Sequence, residues 1–584
     1  MLKPYVRPTE TALELLAIFL GLVFLYLVGQ KYFLRLDLTE EKRYTLNQAT
    51  KNTLATLDQS LHIEIYLAGD LNADFKRLQK SIQEKIEEFG LYANKRITYT
   101  LTDPQQLVDD PERKQQFFQE LARMGITPTQ VTRQEEGKVV QALVFPGAAI
   151  RQGNKELGVL LLKGNKADTP EQQLQQSIEN IEYELITAIQ KLSRSARKSV
   201  AFVQDLQTLR PEDTYALRQA LSQSYIVEQI KLSQDDPYAY DALILAQPKA
   251  RLSEIERYRL DQYIMRGGKV LFFIDPIQMN LDSIAQGGTY AFGYDLNLED
   301  MLFRYGVRLN LDLVQDQLLH GFITVNTGNF GNQSNLQNLP WVYHVILNRF
   351  AQHPVTRNLD AIYARFVSSM DTVKSPGITK TPLLFTSDYS RTRRCPTMVD
   401  INEIKQLGQN PDLFKQKNIP VAYLLEGAFR SVYEGRFPPR EVDRSQYRPQ
   451  GLPTRLLVCA DGDLIRNELH PKTKKPMPLG YDPASGGMFS NLAFVENALA
   501  YLLDPEGVIL SRNQQIKMRP LDTQRLTNEK IYWQSFNLIL PLAFLAALAV
   551  LLFWWRRKKY GHITAPQRSD SEDTPVLNKE NDDR

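Results

Sequence analysis

The stretch that most constrains this chain is Phe536–Trp555, 20 consecutive residues without a charge. Twenty helical residues rise about 30 Å, the thickness of a hydrocarbon core, and soluble core helices are rarely so long and so uniformly apolar. Trp554 and Trp555 suit the aromatic belt at a membrane interface. Arg556, Arg557, Lys558 and Lys559 follow as a basic stop that stays cytoplasmic. Pro541 lies early in the run, where membrane helices tolerate a kink.

A second apolar stretch lies near the other end. Ala12–Val28 is broken only by Glu14, with Lys3 and Arg7 before it and Lys31 and Arg35 after it. A signal peptide and an uncleaved anchor share this pattern. The following residues, Gly29-Gln30-Lys31-Tyr32-Phe33, offer no small-x-small cleavage site, which favours the anchor. Glu14 snorkels to the interface or serves a partner helix. We expect transmembrane helices at 12–30 and 536–555, both termini in the cytoplasm, and the bulk of the chain outside it.

Composition narrows the classes. Charged residues make up 23% and hydrophobic ones 43%, as in ordinary globular domains. A formal charge of +3 gives no electrostatic case for nucleic acid. The cysteines are Cys395 and Cys459, too few for a disulfide framework; a single bridge and two buried thiols both remain open.

In chain order, residues 1–11 are a cytoplasmic leader and 31–53 a juxtamembrane segment. Thr45 and Gln48 fit a capping box that predicts a helix starting near Leu46. Residues 54–195 form a first domain. His62–Leu67 and Ile97–Leu101 read as strands, Asn72–Tyr92 and Pro111–Met124 as helices. Val139–Phe145 and Leu157–Leu162 read as a strand pair, and Glu171–Leu192 as a long helix. The order β-α-β-α-β-β-α is thioredoxin-like, but no Cys-x-x-Cys is present, so dithiol chemistry is excluded there. Residues 199–512 form a larger α/β domain, with strands at Ser199–Gln204, Ile226–Lys231, Ala242–Ala246, Lys269–Ile274 and Arg455–Ala460. Helical patterns at Glu212–Gln223 and Ser253–Met265 alternate with them, which predicts a parallel sheet covered on both faces. The Asn/Gln/Arg-rich middle, 280–450, reads as excursions from that sheet, and Gly487–Leu503 as a closing helix. Residues 513–535 connect to the second span, and 556–584 are the basic stop and a polar tail of disordered composition.

Ligands of open α/β sheets sit at the carboxyl ends of strands. Two strands here end in acids, Asp275-Pro276 and Asp461-Gly462-Asp463, with Asn467 in the same stretch. Such oxygens could hold a divalent cation, or they could serve the turns where the strands stop; the turn reading is favoured. Cys459 lacks the glycine framing of a nucleophile elbow and reads as a buried strand thiol. His62, His320, His344, His353, His470 and His562 show no metal-ligand spacing, and Gly267-Gly268-Lys269 lacks the first glycine of a P-loop. Arg391, Arg393 and Arg394 read as a solvated basic loop. No catalytic, cofactor-binding or metal residue is assigned on these grounds. Asp275, Asp461, Asp463 and Asn467 remain the candidates for a metal-dependent site.

Several stretches resemble the GldG family, gliding-motility-associated auxiliary (so-called substrate-binding) proteins of an ABC transporter in Bacteroidota. They are Arg35-Leu-Asp-Leu-Thr39, Lys42-Arg43-Tyr44-Thr45-Leu46, Ile181-Glu-Tyr-Glu-Leu-Ile186, Asp461-Gly-Asp463 with Asn467, and Arg519-Pro-Leu-Asp522 with Trp533-Gln534 and Asn537. The resemblance covers nearly the whole length. It implies a two-pass inner-membrane protein with its bulk in the periplasm, partnered by a transporter permease and through it a cytoplasmic ATPase, with motility or secretion components beside them. It also implies that the large domain is similar to the non-catalytic amidotransferase-like domain of intraflagellar-transport proteins. The expectation is a non-enzymatic subunit without cofactor; a peptide or glycan receptor and a metal-dependent site are the alternatives.

Overall fold

The computed structural model describes residues 45–513, with breaks at 108–109, 136–137, 164–168, 194–196, 280–282, 285–287, 331–332, 402–410, 443 and 505–506. It also describes 529–560 and seven helical positions between 16 and 24. The chain divides into two units, Met1–Gln515 and Ile516–Arg584.

The first unit begins with α1 (Gln48–Ala55), β1 (Leu61–Ile65), α2 (Ala73–Tyr92), β2 (Ile97–Leu101) and α3 (Pro111–Arg123). A hairpin of β3 (Thr129–Glu135) and β4 (Lys138–Val144) precedes β5 (Gly147–Gln152), β6 (Lys155–Leu160) and α4 (Pro170–Ser193). The sheet order is β2-β1-β5-β6; β1 runs parallel to β2 and antiparallel to β5, and β6 antiparallel to β5. Side chains alternate across it. Ile63, Ile65 and Ile150 meet Leu78 and Ile82 of α2 and Leu185 and Ile189 of α4. Ala149 faces the other side, toward Leu121 of α3, Ile126 and Phe145.

Two local expectations are corrected. The helix expected near Leu46 starts at Gln48, because Asn47 is the cap: its side-chain oxygen accepts the Ala49 N–H at 2.9 Å. The strand pair expected between Val139–Phe145 and Leu157–Leu162 does not form. β4 pairs with β3, and the partner of β6 is Gly147–Gln152, joined to it by a tight turn with Gly153 at φ +57°. Small residues in Gly147-Ala148-Ala149 concealed that strand, which is buried on both faces.

The rest of the first unit is built on an eight-stranded sheet. β7 (Ser199–Val203), β8 (Ile226–Ile230), β9 (Ala242–Ala246), β10 (Lys269–Phe273) and β11 (Gln450–Cys459) form its parallel part, in the order β8-β7-β9-β10-β11. α5 (Tyr215–Ser222), α6 (Glu254–Met265) and α7 (Asn491–Leu502) accompany them. All five residues of β9 are buried, as a strand covered on both faces requires. The expectation of a parallel sheet needs correction at one edge. Pro420–Arg430, Ile378–Phe385 and Arg349–Phe350 add in antiparallel fashion beyond β11. Pro420–Arg430 doubles back directly into β11, and a parallel pairing would need a crossover instead. The middle of the chain is therefore only partly an excursion from this sheet. His320–Phe330, Gln333–Leu347 and Ile362–Arg365 make a three-stranded sheet of their own.

Asp261 of α6, 0% exposed, ties this body together. Its carboxylate accepts the Tyr305 and Ser431 hydroxyls at 2.8 and 2.7 Å, the Val432 N–H at 2.9 Å and the Gln262 amide at 2.9 Å.

In the second unit, α8 (Lys530–Tyr560) runs unbroken through Pro541 and takes in the end of the expected connector together with the expected span 536–555. Lys530–Trp555 is long and apolar enough to cross a membrane. Leu538, Phe544 and Trp554 are 68%, 69% and 72% exposed within their unit, which suits a lipid environment. Of the expected first span, positions 16, 17, 19–21, 23 and 24 are helical. The remainder of 12–30, and the tail beyond Tyr560, lie outside the described residues.

Asp261→Ala strands four buried donors. It should destabilise the chain by about 3 kcal/mol in urea unfolding, the usual cost of removing one partner from a buried charged network. An unchanged midpoint would show that Asp261 is dispensable.

Candidate functional site at the carboxyl ends of the parallel sheet

Three adjacent strands, β9, β10 and β11, stop side by side, and each delivers a polar side chain. β9 leads to Gln247, whose φ of +52° turns the chain sharply. β10 leads to Asp275 and β11 to Asp461. The Gln247 amide donates to Asp275 and, at 3.1 Å, to Asp463. The Gly462 N–H donates to Asp275. Asp461 accepts the N–H groups of Asp463 and Leu464 at 2.7 and 3.1 Å and that of Arg365 at 2.9 Å. Gly462 admits this approach because it has no side chain: a Cβ there would lie 2.5 Å from Gln247 Cγ.

The structure thus brings Asp275, Asp461 and Asp463 together. Asn467 turns elsewhere. Its amide donates to the Glu212 carbonyl at 3.0 Å and accepts the Ala216 N–H at 3.0 Å, so it caps α5 from the loop after β11. Burial, and then the charge of Asp463, push Asp275 up to about 7, against the pull of the Gly462 N–H and Gln247. Burial also lifts Asp461 well above the usual carboxylate range, with Asp275 and Asp463 adding to it. The cluster therefore retains a proton near neutral pH. Arg365 pairs with Glu468 beside it; burial opposes the guanidinium charge, but Glu468, Tyr363 and Asp463 outweigh it and raise its pKa.

Both carboxyl oxygens of Asp275 and of Asp461, and Oδ1 of Asp463, accept from backbone N–H groups, Gln247 or Arg466. Among the described residues, no three His, Cys, Asp or Glu side chains are arranged to hold a metal ion. Burial, then Asp461, pushes the Cys459 thiol far up, which disfavours the thiolate that a nucleophile needs. Cys459 and Cys395 are not bonded to each other. His344 is half-buried and neutral, its pKa lowered to about 3 by desolvation and then by Arg365. Arg391, Arg393 and Arg394 lie on a strand paired with Asp312–Asp316, not on a loop; Arg393 donates to the Tyr343 hydroxyl at 3.2 Å. Sequence reasoning missed Gln247 and Arg365. Gln247 sits just past a strand and before Pro248, as Asp275 does before Pro276, and that rule could have found it. Arg365 comes from the irregular middle, which carries no such signal.

A second constellation joins the two α/β bodies at α4. Glu182, 2% exposed, accepts the Asn47 N–H at 2.9 Å and the Thr50 hydroxyl at 2.7 Å. Glu179 pairs with Arg357 of the second body at 2.9 Å. After α7 the chain returns as a 3-10 turn, Val508–Asn513, that packs against α1 and α4.

Gly462→Ala should cost about 1–3 kcal/mol through overpacking against Gln247. Gln247→Gly, which removes the facing atoms and suits φ +52°, should recover part of that loss in a double-mutant cycle of unfolding free energies. Additive effects would refute the contact. The acid cluster also predicts a pH dependence. Asp275 has a folded pKa near 7 against an ordinary 3.8, so the native state holds a proton the unfolded state releases. The resulting stability is complete below about pH 4 and is lost as pH rises through 7, with a slope of at most about 1.4 kcal/mol per pH unit. Asp275→Asn should flatten this fall in the melting temperature between pH 5 and 8.

A family model for a domain of unknown function, DUF7088, matches residues 40–151. Among solved structures, the mmIFT52 N-terminal domain is similar at 14% identity; the match covers 52% of this chain and 98% of that chain, with a TM-score of 0.29. No curated protein matches. A family model described as an ABC-type uncharacterized transport system matches residues 197–498, just over half of the 584 residues. The chain belongs to that family, the auxiliary proteins of an ABC-type transport system.

Proposed function

We propose that this chain is a non-enzymatic accessory subunit that docks on a transporter permease through two membrane anchors and holds an α/β body outside the cytoplasm. The observation that carries this reading is the convergence of the chain ends. The incoming helix α1 and the outgoing turn Val508–Asn513 pack against each other and against α4. A body whose two ends leave side by side suits two anchors in one membrane, here 12–30 and 536–555, with both termini in the cytoplasm. The permease would connect it to a cytoplasmic ATPase. Gliding motility, with protein secretion beside it, is the setting that the family resemblance implies.

The two bodies, 54–195 and 199–512, act in this reading as scaffolds. The strand order β2-β1-β5-β6 supports a thioredoxin-like fold for the first, which has no cysteine for redox work. The order β8-β7-β9-β10-β11, strands 2-1-3-4-5 of a flavodoxin-like sheet, supports an amidotransferase-like fold for the second. Its strand ends are tied to one another rather than open to a ligand, which favours a structural use of the acids.

Mild detergent purification of the intact chain should bring a permease and an ATPase with it, identified by mass spectrometry. Replacing 12–30 and 536–555 by unrelated apolar spans should reduce the recovered permease by about tenfold or more, a loss of about 1.4 kcal/mol or more in association. Full retention would overturn docking through the anchors.

A further inference from the structure

Where the two α/β bodies of the first unit meet, a recess of about 420 Å³ opens, well within the size of small-molecule sites and in the place they favour, a domain junction. Lys155 of β6, Lys191 of α4, and Arg197 and Lys198 ahead of β7 stand around it. Leu157, Tyr225 and Leu503 supply an apolar wall. Two acids also line it, but both are engaged: Glu156 pairs with Arg151 at 2.7 Å, and Asp504 accepts the Gly507 and Ile509 N–H groups at 3.0 and 2.8 Å. The cations are less well matched. Lys155 donates to the Leu192 carbonyl at 3.3 Å, Arg197 reaches the Ser222 carbonyl only at 3.5 Å, and Lys198 lies 3.8 Å from Asp241. Lys191 is open to solvent although protein surrounds it, the situation of a side chain lining a recess; burial lowers its pKa against the pull of Glu496. Among the described residues the Thr187 hydroxyl is buried there without a hydrogen-bond partner.

An excess of positive charge, an apolar wall and an unused hydroxyl together define a ligand chemistry. We propose that this junction recess binds a small amphiphilic anion, a phosphate or carboxylate carried on a compact apolar body. The anionic group sits among Lys155, Lys191, Arg197 and Lys198, and the apolar body lies against Leu157, Tyr225 and Leu503. The ligand touches both bodies and therefore stabilises their junction.

Isothermal titration calorimetry on the intact chain in detergent tests this with two probes, phenyl phosphate and inorganic phosphate. Phenyl phosphate should bind at one site per chain and about tenfold or more tighter than inorganic phosphate. Lys191→Glu should weaken it by about tenfold or more, and Lys191→Met by less. Lys80→Glu, at a lysine 77% exposed on α2, should leave it unchanged. Melting curves verify that the variants are folded. Three results would overturn the proposal: no saturable binding of phenyl phosphate, equal affinity in wild type and both Lys191 variants, or equal affinity for the two probes, which would reduce the recess to a patch of charge.

Discussion

A single buried carboxylate, Glu182, governs how the chain enters its folded body. It lies on α4, receives the first backbone N–H before α1 and the Thr50 hydroxyl one turn later, and has Lys85 at 3.7 Å. Charge-assisted bonds of this kind are strong, and stranding their partners in a dry interior is costly, so α1 is held in one position on α4. The same helix takes the outgoing turn on its flank and anchors the second body through Glu179 and Arg357. Three long-range connections thus meet on one element, and the family-like stretches around Thr45 and Ile181–Ile186 acquire a structural meaning from that meeting.

The carboxyl ends of the parallel strands illustrate a different economy. In open α/β sheets this edge is normally where a ligand is held. Here Asp275, Asp461 and Asp463 accept from the Gln247 amide, Arg466 and the loop backbones, and Asn467 draws the loop after β7 to the loop after β11. Crowding three carboxyls would be prohibitive if all were charged; the proton that Asp275 and Asp461 retain lets the crest close. Protonated acids donate as well as accept, which suits a network built from side chains and turn N–H groups.

Much of the local structure was legible in the sequence because it depends on neighbours. The three-and-four spacing of Leu78, Ile82, Ile86 and Phe89 gave α2 to within a residue, and the helical pattern at Ser253–Met265 gave α6, which the structure shows to open on a capping box of Ser253 and Glu256. The Thr45 box failed because Asn47 competes for the same turn and Glu182, 135 residues away, fixes its backbone. Gly147–Gln152 was missed since two-sided burial selects small residues and erases alternation. The antiparallel edge and the separate sheet of His320–Phe330, Gln333–Leu347 and Ile362–Arg365 depend on pairings that no local pattern encodes. The acids at the strand ends could be located, but not their partners, because Gln247 and Arg365 arrive from distant loops.

Val508 and Ile509 sit at the joint between the two bodies. They are consecutive residues, yet Val508 is buried in the core of the first body and Ile509 in the core of the second. The chain is therefore threaded through the joint between the bodies at this turn. Close-packed cores do not deform continuously, so a shift of one body against the other must be taken up at this turn. Both residues also line the junction recess. A ligand in the recess, the relative position of the two bodies and the course of the chain leaving them are thus bound to the same pair of side chains. That is the physical contiguity through which the recess and the joint between the two bodies are coupled.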